Sequence, residues 1–512
     1  MKSERFWKLL AISVVLLVAV GVASAVNLTS LNSNERMAAS SGHVDKHPKM
    51  STEVAAKIPT SRIAPPAELI TVNIYLNTNK TEDLEELRNH TAEILLIKGS
   101  RMVAKIYAGE ILRIANLPFI SYMDTPIKAQ LFPEATVSSG IQCINVDKQH
   151  AHNIKGKDVK VAIVDLGLAG YEDLLGIDLP ESVTSRSFRE DGDITGGGEI
   201  HGTACAEIVH DVAPDAELYL INYDGYAYQL EEIVDYLVSE DVDIISHSAG
   251  RTAELFDGSD YTCGIIDNAV FRHGIMWVNA AGNCAQRHWE GIFNDADGDG
   301  YHEFPDGALG QTFCADKGEA IVLYLSWNET WGYATQDYDL YIIDSSVSEV
   351  VAASEDPQNG SFGHIPVEGV GFLAPYTDCF YIVIANYSAT KPVHFELYSW
   401  YHDLGCKVEA SSLCVEATAL GSITAGAVDC EDCETLEPYS SRGPTNDGRL
   451  KPDYVGPDCV STCAYSPYPF CGTSAATPHV AGALALWLSQ IKQYHPGPKN
   501  NQYGYGLPNF GG

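Results

Sequence analysis

The sequence predicts an α/β fold: a parallel sheet flanked by helices, with a small α+β unit ahead of it and an all-β sandwich inserted into it. Three stretches carry this expectation. Lys160–Val164 is an apolar, β-branched run that ends on Asp165, as a buried parallel strand reads. Val480–Leu488 is apolar almost all round, as a buried helix reads. Residues 301–408 instead alternate as short strands between Gly, Pro, Asn and Asp. A chain of 512 residues has room for about three such units.

From the start of the chain, Lys2, Arg5 and Lys8 precede the apolar run Leu9–Val22 and the small residues Ala23-Ser24-Ala25. Residues 1–25 have the form of a cleavable export signal, and so short a run spans a bilayer poorly. Residues 26–67 are polar and rich in Ser, Ala and Pro, the composition of a linker. Residues 68–136 follow as a compact pattern. Val72–Leu76 alternates as a strand. Asn79 or Thr81 is placed to cap a helix with Glu82 and Asp83 in its first turn and Leu84, Leu87 and Thr91 on one face. Ile94–Ile97 and Met102–Tyr107 read as a strand pair around Gly99-Ser100, Glu110–Asn116 as a short helix, and Phe119–Met123 as a last strand. The order β-α-β-β-α-β is ferredoxin-like.

Residues 137–300 and 409–512 hold the chemistry. Asp165 closes a parallel strand, at the end where open α/β sheets place reactive groups. On its own, such an Asp more often just caps a turn. His201-Gly202-Thr203 follows Gly196-Gly197-Gly198 and opens an apolar helical segment, and Gly202 permits close backbone approach. Gly472-Thr473-Ser474 precedes the apolar helix, so Ser474 lies where backbone N–H groups and the positive dipole end point outward. A Ser hydroxyl is a poor nucleophile until a base takes its proton. His titrates in the right range, and a buried carboxylate fixes its tautomer. Val278–Asn283 reads as an apolar strand closing in Ala-Gly-Asn, and the Asn283 amide suits donation to a developing oxyanion.

Together these stretches resemble the subtilisin-like serine proteases, the subtilases. Val161–Asp165, His201–Thr203, Ser248–Gly250, Ala281–Asn283 and Gly472–His479 match the family's motifs in order, as do Tyr439–Pro444 and Lys451–Asp453. Subtilisin is itself the standard worked case for this triad, its order and the Asn donor, so those roles are carried over from the resemblance. They are Asp165 orienting His201, His201 as general base and then acid, and Ser474 as nucleophile. Asn283 and the Ser474 N–H would form the oxyanion hole. Ser248, Ala249 and Gly250, with Ala280, Ala281 and Gly282, would flank the specificity pocket and bind extended substrate backbone. The ferredoxin-like unit would be a propeptide that aids folding and inhibits its own enzyme until removed. Expected partners are protein or peptide substrates, cleaved through an acyl-enzyme. The alternative is an inactive homologue serving as an extracellular binding protein. A carboxyl-type serine peptidase with Glu as base does not fit an intact His-Gly-Thr.

Some stretches depart from the family pattern. After His201 the helix runs directly toward Val212-Ala213-Pro214, so the calcium loop that many subtilases carry there is not expected. Further on, Asp295, Asp297 and Asp299 alternate before Gly300, with Asp306 at position 12 counted from Asp295. Such an oxygen-rich turn suits a structural Ca²⁺ outside an EF-hand, and a solvated acidic turn is the plainer reading. Within the insert, Ala320–Trp327, Tyr338–Ile343, Cys379–Ala385 and Val393–Trp400 are expected strands, and Trp327–Asp344 resembles the bacterial pre-peptidase C-terminal sandwich. Cys430-x-x-Cys433 and Cys459-x-x-x-Cys463 have spacings zinc can use. In an exported chain disulfides are favoured, with no connectivity readable.

The net charge of −36 makes nucleic-acid binding and docking on anionic lipid unfavourable. No stretch after the signal is apolar enough to span a membrane. Residues 137–512 carry 17 basic and 55 acidic residues and all 13 cysteines, whereas 26–136 are neutral and lack Cys. The acidic, cysteine-bearing part is thus the one expected to endure outside the cell, and an odd count leaves at least one Cys without an internal partner. Asn27, Asn79, Asn89, Asn328 and Asn386 lie in Asn-x-Ser/Thr sites, which also arise by chance. The sequence gives no oligomeric state.

Overall fold

The computed structural model describes residues 48–51, 54–55, 57, 69–78, 80–126, 130–131 and 140–494. The expected signal at 1–25, most of the linker, Asn27, Asn79 and the stretch 132–139 lie outside the described residues. The chain forms two units. One holds the described residues up to Thr125 together with Trp289–Lys407, and the other holds Pro126–His288 and the described residues from Val408 on.

In the first unit, β1 (Leu69–Leu76), α1 (Thr81–Arg88), β2 (Glu93–Lys98), β3 (Arg101–Tyr107), α2 (Ile111–Ala115) and β4 (Ile120–Asp124) follow the expected order. Their sheet runs β2-β3-β1-β4. Val72, Ile74, Leu87, Ile106, Ile111, Ile114 and Ile120 close its core. The expected cap of α1 is not formed by Thr81. Lys80 stands at the N-cap without a side-chain bond, and Thr78 holds the first turn instead. Its hydroxyl donates to Asp83 Oδ2 at 2.6 Å and accepts the Lys80 N–H at 3.2 Å.

The same unit contains two four-stranded sheets. The first joins β12 (His288–Ile292), β14 (Ala320–Trp327), β17 (Val367–Leu373) and β19 (His394–Ser399). The second joins β13 (Gln311–Ala315), β15 (Tyr338–Ile343), β16 (Val350–Ser354) and β18 (Asp378–Asn386). The pairings among β13–β19 are antiparallel, and Cys314 faces Cys379 across the β13–β18 pair and is disulfide-bonded to it. The unit that holds these sheets takes in Trp289–Lys407, so the acidic loop at Asp295–Asp299 lies in it.

The second unit is built on a seven-stranded sheet in the order β21-β20-β11-β9-β6-β8-β7. Its strands are β6 (Lys160–Asp165), β7 (Thr184–Ser187), β8 (Glu217–Asn222), β9 (Ile244–His247), β11 (Met276–Ala280), β20 (Ser422–Asp429) and β21 (Tyr454–Asp458). Every pairing in it is parallel. β6 lies between β8 and β9, which is why Val161–Val164 are buried throughout. Strand order reverses there, and parallel sheets open their ligand crevice at such a switch point. α3 (His201–Val212) and α4 (Thr473–Tyr494) pack with this sheet into one apolar cluster that includes Ile163, Ala204, Val209, Ala475 and Ala481. Two disulfides close this unit, Cys143–Cys433 and Cys459–Cys471. Neither short-spaced pair is bonded to itself: Cys430 and Cys463 remain thiols, because the partners that reach Cys433 and Cys459 come from other segments.

Candidate active site

Asp165 ends β6 and His201 begins α3. His201 Nδ1 lies 2.8 Å from Asp165 Oδ2, with both side chains wholly buried. The second carboxylate oxygen accepts the Leu166 N–H at 2.8 Å, so the carboxylate is held on both sides. Gly202 makes the approach possible: a Cβ there would lie 2.7 Å from both Asp165 Cβ and Gly167 O. Burial pushes the His201 pKa down, but the Asp165 carboxylate and the Cys205 sulfur outweigh it and leave it well above 6.5. Phe470 stands edge-on to the imidazole, with ring centroids 5.0 Å apart.

Ser474 is the second residue of α4, so its N–H has no acceptor within the helix. Its hydroxyl donates to Ser248 O at 3.3 Å, and His201 Nε2 is buried without a partner. The nucleophile–base bond is therefore the one contact of the triad not made; in the absence of substrate such bonds are commonly open. Asn283 Oδ1 accepts from Thr473 N at 2.9 Å and Thr473 Oγ1 at 3.0 Å, which turns its Nδ2 to the opposite side. The same Thr473 hydroxyl accepts the Gly282 N–H at 3.1 Å. One side chain thus ties the Ala280–Gly282 segment and the Asn283 amide to the residue before the nucleophile.

Pro478 sits inside α4 and has no N–H to give the carbonyl four residues back, that of Ser474. That oxygen instead accepts the Ser248 hydroxyl at 3.1 Å and lies 3.7 Å from Cys205 Sγ. The short strand β10 (Ala249–Gly250) is paired antiparallel with β5 (Gln130–Leu131) of the same chain.

Residues 401–499 match the model of the Subtilase family. The chain is subtilase-like. It is 32% identical over 158 residues to Subtilisin DY of Bacillus licheniformis, over 29% of this chain and 56% of that one. It is 29% identical over 168 residues to the Thermostable alkaline protease of Halalkalibacterium halodurans, over 31% and 45%. The chain spans about half the length of these curated relatives. Among solved structures, the Clostridium perfringens CspB protease is similar with a TM-score of 0.50 at 15% identity, over 72% of this chain and 95% of that one. At that identity the likeness concerns the fold.

In this subtilase-like unit several supporting residues carry no sequence signal of their own. Asp458 accepts the N–H groups of Cys459 and Gly472 at 2.6 Å each and the Tyr439 hydroxyl, bracing the turn before Ser474. Burial raises its pKa to about 7. Glu207 accepts the N–H groups of Cys463 at 2.5 Å and Ala464 at 3.0 Å, fixing the loop that carries Phe470. Thr473, by contrast, lies inside the Gly472–His479 motif, directly before Ser474.

The acidic loop, in the other unit, brings Asp295, Asp297 and Asp299 together, with carboxylate oxygens within 4.8 Å of one another. Asp306 is not part of that group: its Oδ1 accepts the N–H of Ala308 at 3.0 Å, two residues on, and so caps its own turn.

Proposed function

We propose that this chain is an exported serine endopeptidase that cleaves peptide bonds in proteins through Asp165, His201 and Ser474. The observation that carries the reading is the buried Asp165–His201 hydrogen bond at the carboxyl end of β6, an interior strand of the parallel sheet. In the reaction, Ser474 Oγ leaves Ser248 O and passes its proton to His201 Nε2 as it attacks the peptide carbonyl. Asp165 holds the imidazole in the tautomer with Nε2 free to accept, and stabilises the imidazolium. The new oxyanion is met by the Ser474 N–H and the Asn283 amide. His201 then protonates the leaving amine, and water reverses the sequence to free the acyl group.

The pairing of Gln130–Leu131 with Ala249–Gly250 supports an extended, strand-adding mode of substrate binding. It also supports self-inhibition, with the ferredoxin-like unit as a propeptide severed in the stretch after residue 131. Export rests on the form of residues 1–25 and on the three disulfides. Among the described residues no helix is long and apolar enough to cross a membrane. Three clustered carboxylates form a hard oxygen donor set, which fits Ca²⁺ as a stabiliser of the acidic loop.

A fluorophosphonate probe tests the reading. Processed wild-type protein is expected to be modified at Ser474, and the Ser474→Ala variant is expected to stay unlabelled and unprocessed. Folded, processed wild-type protein that takes no label would leave the inactive binding protein as the surviving reading.

A further inference from the structure

In the ferredoxin-like sheet, Val72, Ile74 and Leu76 of β1 join the core with Leu87, Ile111 and Ile114 of the two helices. Strand alternation then puts Asn73 and Tyr75 on the opposite face. Their partners across the β1–β4 pair are Asp124 and Tyr122. Asn73, Asp124 and Tyr122 are nonetheless almost wholly buried. A loop of the inserted sandwich, residues 361–364, meets this strand pair.

Phe362 stands edge-on to Tyr75, with ring centroids 5.5 Å apart, and His364 edge-on to Tyr122 at 4.6 Å. The Ser121 hydroxyl donates to Phe362 O. The Tyr75 hydroxyl donates to Asp124 Oδ2 at 3.2 Å, which fixes its ring for the contact. Gly363, between the two rings of the loop, has a φ of 104°. A Cβ there would fall on Tyr122 Cβ and lie 3.0 Å from the Tyr75 ring, so glycine is what lets the loop approach.

The loop takes its shape from the sandwich. Gly363 donates its N–H to Gly332 O at 2.8 Å, and His364 O accepts the Ala334 N–H at 2.9 Å. Tyr333 packs on Phe362, with centroids 5.3 Å apart. The contact of β5 with β10 is slighter, since it pairs two residues with two. Five residues separate Asp124 from Gln130. A body anchored elsewhere would therefore hold that short strand at an effective concentration of roughly millimolar.

We infer that the inserted sandwich is a second binding site for the propeptide, gripping Tyr75 and Tyr122 through the 361–364 loop and so keeping the enzyme latent after the chain is cut. Both contacts lie before the stretch where the cut is placed, so the cut breaks neither. The inference rests on residues 68–136 being a severed propeptide, and the test separates the two. Processed enzyme is run on gel filtration and then diluted. The appearance of activity is followed against active sites counted with fluorophosphonate once activity has levelled.

The cut fragment should co-elute with wild-type enzyme, and activity should appear after a lag. Phe362→Ala and Tyr75→Ala should each shorten that lag by roughly 10-fold, as loss of an aromatic anchor does, with kcat per labelled site unchanged. The double variant should do little more than either alone. Hydrogen exchange on wild type needs no variant: amides of residues 361–364 should exchange faster once the fragment has gone. A fragment that elutes apart from wild-type enzyme, a lag untouched by Phe362→Ala, or loop exchange unchanged by loss of the fragment overturns the inference and leaves the serine protease standing. A chain that is never cut overturns the propeptide reading and the inference with it.

Discussion

The surroundings of Ser474 and the loop at Asp295–Asp299 are both crowded with polar groups, but they are assembled in opposite ways. Thr473 meets Asn283 across 190 residues of chain, Ser474 meets Ser248 across 226, and Cys205 meets Ser474 across 269. Asp295, by contrast, accepts the N–H groups of Gly298, Asp299 and Gly300, three to five residues on, at 2.7, 3.0 and 3.1 Å. The first arrangement exists only when the whole sheet has closed. The second is satisfied by its own turn. A lesion in the first should therefore reach chemistry through several segments, and a lesion in the second should stay local.

The largest expected effect is at the oxyanion hole. Asn283→Ala should lower kcat by roughly 10²–10³-fold with KM little changed, a scale the same donor sets in subtilisin and not one derived from this structure. Thr473→Val, which leaves Asn283 in place but removes the hydroxyl bonded to its Oδ1, should fall in the same direction by a smaller factor. Steady-state kinetics of both variants break the comparison if Thr473→Val proves neutral.

The acid limb of activity is the next test. His201 must be neutral to accept the Ser474 proton, and its folded pKa is raised, so kcat/KM should appear only as pH climbs past a value above 6.5. Asp165→Asn should move that limb to lower pH while cutting the rate. A wild-type limb at or below the ordinary histidine value counts against the tightly coupled pair.

The smallest effect belongs to the acidic loop. Chelation, or Asp297→Asn, should lower the melting temperature by a few degrees through loss of a ligand that binds only the folded state, with little change in kcat on the active enzyme. An unchanged melting temperature on chelation removes Ca²⁺ from the loop. A large loss of kcat shows that the loop is not a local device.

The same contrast explains what was legible in the sequence. Period-two alternation placed Ala320–Trp327 and Tyr338–Ile343 at the bounds the strands occupy, and the unbroken apolar run marked β6 as a buried parallel strand. Local motifs likewise marked Asp165, His201, Asn283 and Ser474. What escaped was set by the closed fold. The cysteine partners depend on distant segments. Asp306 stands outside the Asp295, Asp297 and Asp299 group for a local reason. Counting from Asp295 put it at a ligand position, but a carboxylate two residues before an N–H is already placed to cap that turn.

Pro478 gives the last consequence. A proline in a helix interior costs about 3 kcal/mol relative to alanine, and α4 is otherwise composed to be helical. The position sets local regularity against global assembly, and the chain settles it for assembly. The helix gives up one rung of its own ladder, and the carbonyl so released is the socket in which the hydroxyl of a separate β-segment is seated. The best helix this segment could form and the best junction it could make are different sequences, and the protein is built on the second.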